Sequence, residues 1–111
     1  MTDKTDRELL ELTAKAAGYE VWQGRGHQED MLFMRLKKPD PTGKCCGREW
    51  NPLEDDGDAL RLAVQLGFSV EPGRCWHSHY GPAFGEDVLG GVMVATRRAI
   101  VRAAAQIGAQ M

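Results

Sequence analysis

Cysteine and histidine alternate along one short stretch of this chain, as Cys75, His77 and His79. In an extended segment, residues two apart project from the same face, so this spacing groups the three side chains. Thiolate and imidazole together are zinc ligands. The set lacks the C-x-x-C pair and the H-x-x-x-H helix of common zinc sites, and its other reading is a solvated strand face with an incidental thiol. Cys45-Cys46 lies in a loop that could approach the trio, and His27 is further away. The same residue types could form a Cys/His nucleophilic pair. That chemistry needs a lowered thiol pKa and an orienting third group, and the sequence shows neither.

A second concentration of chemistry is acidic: Glu54, Asp55, Asp56 and Asp58 follow the Trp50-Asn51-Pro52 turn. Grouped carboxylates bind hard cations. The spacing is not that of an EF-hand loop, because Gly57 is misplaced and no Glu follows at the required offset. Carboxylates at a helix start also cap orphan N–H groups and complement the dipole, which predicts a capping role with Asp55 or Asp56 as the cap.

The third candidate is basic. Arg97, Arg98 and Arg102 fall in the last helix, and from Val88 to Met111 the chain has no acid. Such a face suits carboxylates or phosphates, with Val101 and Ala105 expected beside it as a small apolar strip. It predicts a contact with an acidic partner protein or a second copy, the latter answering each Arg with Glu86 or Asp87 of the other chain. Trp76, Tyr80 and Phe84 border a glycine-rich stretch, and exposed aromatics dominate binding hot spots. Trp76 and Tyr80 can also be read as the core face of their strand, Trp76 above all.

The elements that must position these residues follow from periodicity and punctuation. Thr5 and Glu8 have capping-box spacing, and a helix follows to a stop at Gly18. Strands are expected over Tyr19 to Gln23, Met31 to Leu36, Phe68 to Val70 and Cys75 to Tyr80. Met31 to Leu36 is apolar on both sides apart from Arg35, which predicts an interior strand. The stretches Pro39 to Gly47 and Gly81 to Gly91 read as loops, the second as a mobile surface loop. The central helix, from Asp58 to Leu66, is apolar round most of its circumference. Asp58, Arg61 and Gln65 form its one polar stripe, which predicts cover on more than one side, with Leu60 and Val64 in the core. The last helix begins within Val88 to Ala95 and runs to Ile107, with Met93, Thr96, Ile100, Ala103 and Ile107 as its core face. Short links between strands favour antiparallel pairing in one small sheet, so the fold class is α+β.

With 111 residues there is room for one domain, taken as 1–111. The net charge of -2 supplies no basic field for nucleic acid. Three cysteines, an odd number, argue against a disulfide framework and for a reducing compartment. The polar start Met1-Thr2-Asp3-Lys4 lacks the features of a signal peptide, and no apolar run reaches membrane-spanning length. A cytoplasmic protein is expected.

Three segments together resemble the phage ABA-sandwich domain family. They are Leu9 to Gly18 with Tyr19-Glu20-Val21-Trp22, the Trp50-Asn51-Pro52 turn leading into Asp55, and Thr96-Arg97-Arg98-Ala99-Ile100-Val101-Arg102-Ala103-Ala104. The family usually has a small hydroxyl residue where this chain has Leu53. The resemblance implies a three-layer α-β-α sandwich encoded by a phage or prophage, and carries no reaction, cofactor or catalytic residue. The expectation is a non-enzymatic accessory protein that binds a host macromolecule, with no cofactor. The alternative is a small-ligand or zinc-binding domain built on Cys75, His77 and His79.

Overall fold

The computed structural model describes residues 5–24, 26, 32–36, 48–77, 80–85 and 91–111. Among these the chain forms three helices and two small antiparallel sheets of three strands each, an α+β domain. No helix among them is long and apolar enough to cross a membrane.

Helix α1 spans Asp6–Ala17. Thr5 takes the extended N-cap conformation and its Oγ1 accepts from the Glu8 N–H at 3.2 Å. Gly18 closes the helix at φ 78°, in the left-handed region where a side chain would be strained. Strand β1 (Tyr19–Gln23) then pairs antiparallel with β2 (Leu32–Leu36), and β2 pairs on its other edge with β3 (Arg48–Glu49). The apolar run Leu32 to Leu36 is therefore the middle strand, as its patterning predicts. Strand β3, two residues long, carries no pattern by which it could be foreseen.

Helix α2 spans Asp56–Leu66 and follows the Asn51–Pro52 turn. Asp55 is its N-cap, with Oδ2 accepting from the Asp58 N–H at 2.8 Å, and Gly67 at φ 75° ends it. Strands β4 (Phe68–Glu71), β5 (Arg74–His77) and β6 (Tyr80–Gly85) form the second sheet in that order. The single sheet expected from the sequence is thus two. Tyr80, expected to end the strand begun at Cys75, instead opens a separate strand, and Gly81–Gly85, expected to begin a surface loop, belongs to it in spite of Pro82. An edge strand tolerates a residue that cannot donate, because only one side of it is paired. Residues 86–90, the rest of that expected loop, lie outside the described residues.

Helix α3 spans Val92–Ala109, starting within the expected window and running past Ile107. It packs against α1, against α2 and against β4, β5 and β6. Ala95, Ala99, Ala103, Ala104, Ala105 and Gly108 are all buried on it, and side chains this small let neighbours approach the backbone closely. At Gly108 a Cβ would lie 1.9 Å from the Leu12 carbonyl oxygen of α1. Nearby, the Thr13 hydroxyl donates to the Val101 carbonyl at 3.1 Å across the same helix pair, with both residues fully buried.

This arrangement overturns the expected centre. Helix α3 is the one covered on several sides, and α2 lies at the periphery with one face inward. Ala59, Leu62 and Ala63 are buried on α2, whereas Leu60 is 61% and Val64 73% exposed. Asp58, assigned to the polar stripe, is buried. On α3, Val101 and Ala105 are core residues rather than an outer strip, and Met93 is exposed rather than core. Alanine reads as neutral in a hydrophobic pattern. That is why the helix richest in it concealed its central position.

Candidate functional site

The densest polar arrangement begins where the chain leaves β3. Trp50 extends the sheet by donating its N–H to the Leu32 carbonyl at 2.9 Å, and its indole is buried edge-on to Tyr19, ring centroids 5.8 Å apart. Asn51 then folds the chain back. Its side-chain Oδ1 accepts from the Leu53 N–H at 3.0 Å, and its carbonyl accepts from the Glu54 and Asp55 N–H groups. Asp58 reaches back from α2, taking the Asn51 N–H on Oδ2 and the Arg61 guanidinium on Oδ1, each at 3.0 Å. A buried carboxylate needs such partners, and Asp58 has them from both backbone and side chain.

Helix α3 ties this turn to the body. Arg97 donates Nε to the Leu53 carbonyl at 2.8 Å and Nη1 to Asp56 at 2.6 Å. Arg98 donates Nη2 to Asp6 at 3.2 Å, linking α3 to the start of α1. Two of the three arginines expected to face a partner thus hold the N-termini of two other helices. Arg102 is exposed.

Between these tied elements lies an open depression of about 230 Å³, lined by Asp6, Arg7, Leu10, Leu32, Asn51, Leu53 and Glu54. Leu10, Leu32 and Leu53 lie beneath it as core residues that expose little surface to it. Its rim carries both charge signs. Asp6 is engaged by Arg98. Among the described residues, no hydrogen bond or ion pair engages the Arg7 guanidinium, the Glu54 carboxylate or the Asn51 side-chain N–H group. In contrast, Asp55, Asp56, Asp58, Arg61, Arg97 and Arg98 are all paired. Sequence reasoning passed over Arg7 and took Glu54 only as one of the acids at the start of α2. The Asn51-Pro52 turn was the available signal, since it presents the residues after it beside the first strand pair.

The Cys/His set is placed differently from its expectation. Cys75 is fully buried, and its thiol donates to the Ala99 carbonyl of α3 at 3.1 Å. Burial pushes the thiol pKa up to about 11, the opposite of nucleophile activation. The face of β5 that carries Cys75 is therefore the core face, not a wet one. Trp76 is on the other face, half-buried, with the Arg74 guanidinium 5.7 Å from its ring centroid. His77 ends β5 and pairs with Tyr80 in the ladder, while Phe84 pairs with Cys75 across a register shift. His79, Cys45, Cys46, His27, Glu86 and Asp87 lie outside the described residues. Among the described residues, no cluster of three His, Cys, Asp or Glu side chains could hold a metal ion.

No protein-family model, curated protein or solved structure matches this chain.

Proposed function

We propose that this protein is a small non-enzymatic binding protein of a phage or prophage, acting in the host cytoplasm on a host protein. The observation that supports this reading is the outer face of α2. Leu60 and Val64 stand one helical turn apart, 61% and 73% exposed, on a helix capped at both ends. Arg61 beside them is oriented by Asp58 at 3.0 Å. An aliphatic pair at i and i+4 on a rigid helix is the anchor pattern of helix-in-groove recognition. The exposed acids Glu54 and Asp55 lie towards the N-terminal end of the same helix and oppose nucleic-acid phosphates. They suit a protein with an apolar groove and a basic rim.

The three-layer α-β-α sandwich implied by the resemblance belongs to the same proposal. The packing of α3 on α1 and on strands β4 to β6 supports it. An experimental structure in which neither sheet has helices on both faces would remove it.

The test is affinity capture with the wild-type chain, a Leu60→Lys/Val64→Lys variant and an Arg102→Glu variant. The expected result is a host protein retained by wild type and Arg102→Glu and lost by the α2 variant, with melting temperatures alike. Retention by all three removes α2 as the contact. If light scattering shows a dimer that the α2 variant abolishes, the partner is a second copy and the host reading falls.

A further inference from the structure

The two faces of the first sheet differ. Tyr19, Leu32, Met34 and Trp50 are buried on its core side. On the other side Trp22, Phe33 and Glu49 stand in one row, because Trp22 pairs with Phe33 and Phe33 with Glu49 in the two antiparallel registers. We propose that this outer face docks an arginine side chain of a basic partner peptide, independently of the outer face of α2.

The aromatic pair provides the platform. The Trp22 and Phe33 rings stack at 18° with centroids 6.1 Å apart, and Trp22 stays 42% exposed beside the half-buried Phe33. A cross-strand aromatic pair stabilises its sheet on either face. Here it lies on the solvent side, so part of the indole surface is not used by the core. The π-face of an aromatic ring is negative and attracts a cation, that of Trp most strongly.

The charge at the end of the row selects the occupant. Glu49 is exposed, and among the described residues no hydrogen bond or ion pair engages its carboxylate. Glu20, on the same face, stands opposite Arg35 in the register and is engaged within the chain. The row therefore offers two near-parallel rings and an uncommitted anion. Adjacent strands lie about 4.8 Å apart, so Glu49 is one strand spacing from Phe33. A guanidinium is planar, stacks on a ring and still donates in its own plane to a carboxylate. An ammonium group carries the charge without the plane, and a phosphate is repelled by Glu49.

NMR titration of the intact chain with the blocked peptide acetyl-Gly-Arg-Gly-amide, and with its lysine and citrulline counterparts, tests the proposal. The arginine peptide is expected to shift the Trp22 indole N–H and the amides of Phe33 and Glu49. Citrulline keeps the plane and loses the charge, and should bind about two- to fivefold more weakly. Lysine keeps the charge and loses the plane, and should also bind more weakly. Glu49→Gln changes an exposed side chain on a two-residue edge strand, so it should melt as wild type does and weaken the arginine peptide about twofold. Trp22→Ser should abolish the response at Phe33 and Glu49. If that variant fails to fold, the three peptides on wild type and Glu49→Gln decide the matter alone. Absence of shifts at about 20 mM arginine peptide overturns the proposal. So does an equal response to the citrulline or lysine peptide, or shifts of the same size at the exposed acids Glu8 and Glu71. A dimer in light scattering that Trp22→Ser dissociates also overturns it, because a second copy then covers the face.

Discussion

Leu60 and Leu62 are two residues apart on one helix and differ completely in what they contribute. Leu62 has no exposed surface, and Leu60 retains 61%. Removing a buried isobutyl group forfeits its transfer energy and leaves a cavity, so Leu62→Ala should cost about 2–5 kcal/mol. Leu60→Ala should stay within about 0.5 kcal/mol of wild type. Urea titration of the two variants checks this, and a large loss in Leu60→Ala would place that side chain inside. Cys75 sets a second residue-scale expectation. Its folded pKa is raised from 9.0 to about 11 by burial. The unfolded chain then loses its proton first, so the native state holds more protons between these values. Stability is fully present below about pH 9 and falls as pH rises towards 11, by up to about 3 kcal/mol from this group. A Cys75→Ala variant should be less stable at neutral pH but show a shallower decline above pH 9. An identical slope in both chains would show that the thiol does not titrate in this way.

At the scale of elements, the contact between α1 and α3 is governed by small side chains and one buried hydrogen bond. Intrinsic propensity says that Gly to Ala inside a helix stabilises it by about 1 kcal/mol. Gly108 is expected to do the reverse. Its Cβ would stand 1.9 Å from the Leu12 carbonyl oxygen, and backbone cannot swing aside as a long side chain can. Gly108→Ala should therefore force the helices apart and destabilise by about 1–3 kcal/mol or more. A thermal melt in which Gly108→Ala equals or exceeds wild type would contradict the close crossing. The ends of α1 and α2 behave as their residues foretell. Thr5, Asp55, Gly18 and Gly67 all cap, because capping depends on the residue and its immediate neighbours.

For the whole molecule, the core is one cluster shared by all three helices and both sheets. Leu9 and Ala14 from α1, Met34 from β2, Leu62 from α2, Cys75 from β5 and Ile100 from α3 all belong to it. The two sheets should therefore unfold together, through α3, which no subset of elements can lose alone. Trp50 is 1% exposed and reports on this core. Its fluorescence and the far-UV circular dichroism should follow one urea transition. Two separated transitions would show that the sheets belong to independent units.

How much of this was legible in the sequence depends on the range of the forces involved. The cap and stop of α1, the glycine stop of α2, its capping by Asp55 or Asp56 and the interior position of Leu32 to Leu36 rest on residues a few positions apart, and the sequence by itself determined them. The small strand β3 and the strand character of Gly81–Gly85 depend on a partner strand, and local composition pointed the other way for the latter. Periodicity showed that α2 is apolar on most sides, but only packing decides which apolar residues are covered. Leu60 and Val64 are left outside because α3, with its alanines and Gly108, takes the interior place. The candidate site was hidden for the same reason. Arg7, Leu32 and Glu54 are far apart in the chain and share no motif. They come together through the shared core, while Arg97 and Arg98, which the sequence offered as partners for another molecule, are used by the fold to hold α1 and α2 to α3. Tertiary structure alone decides which charged groups are consumed internally and which remain for a ligand, because each pairing requires two distant elements to be brought within about 3 Å.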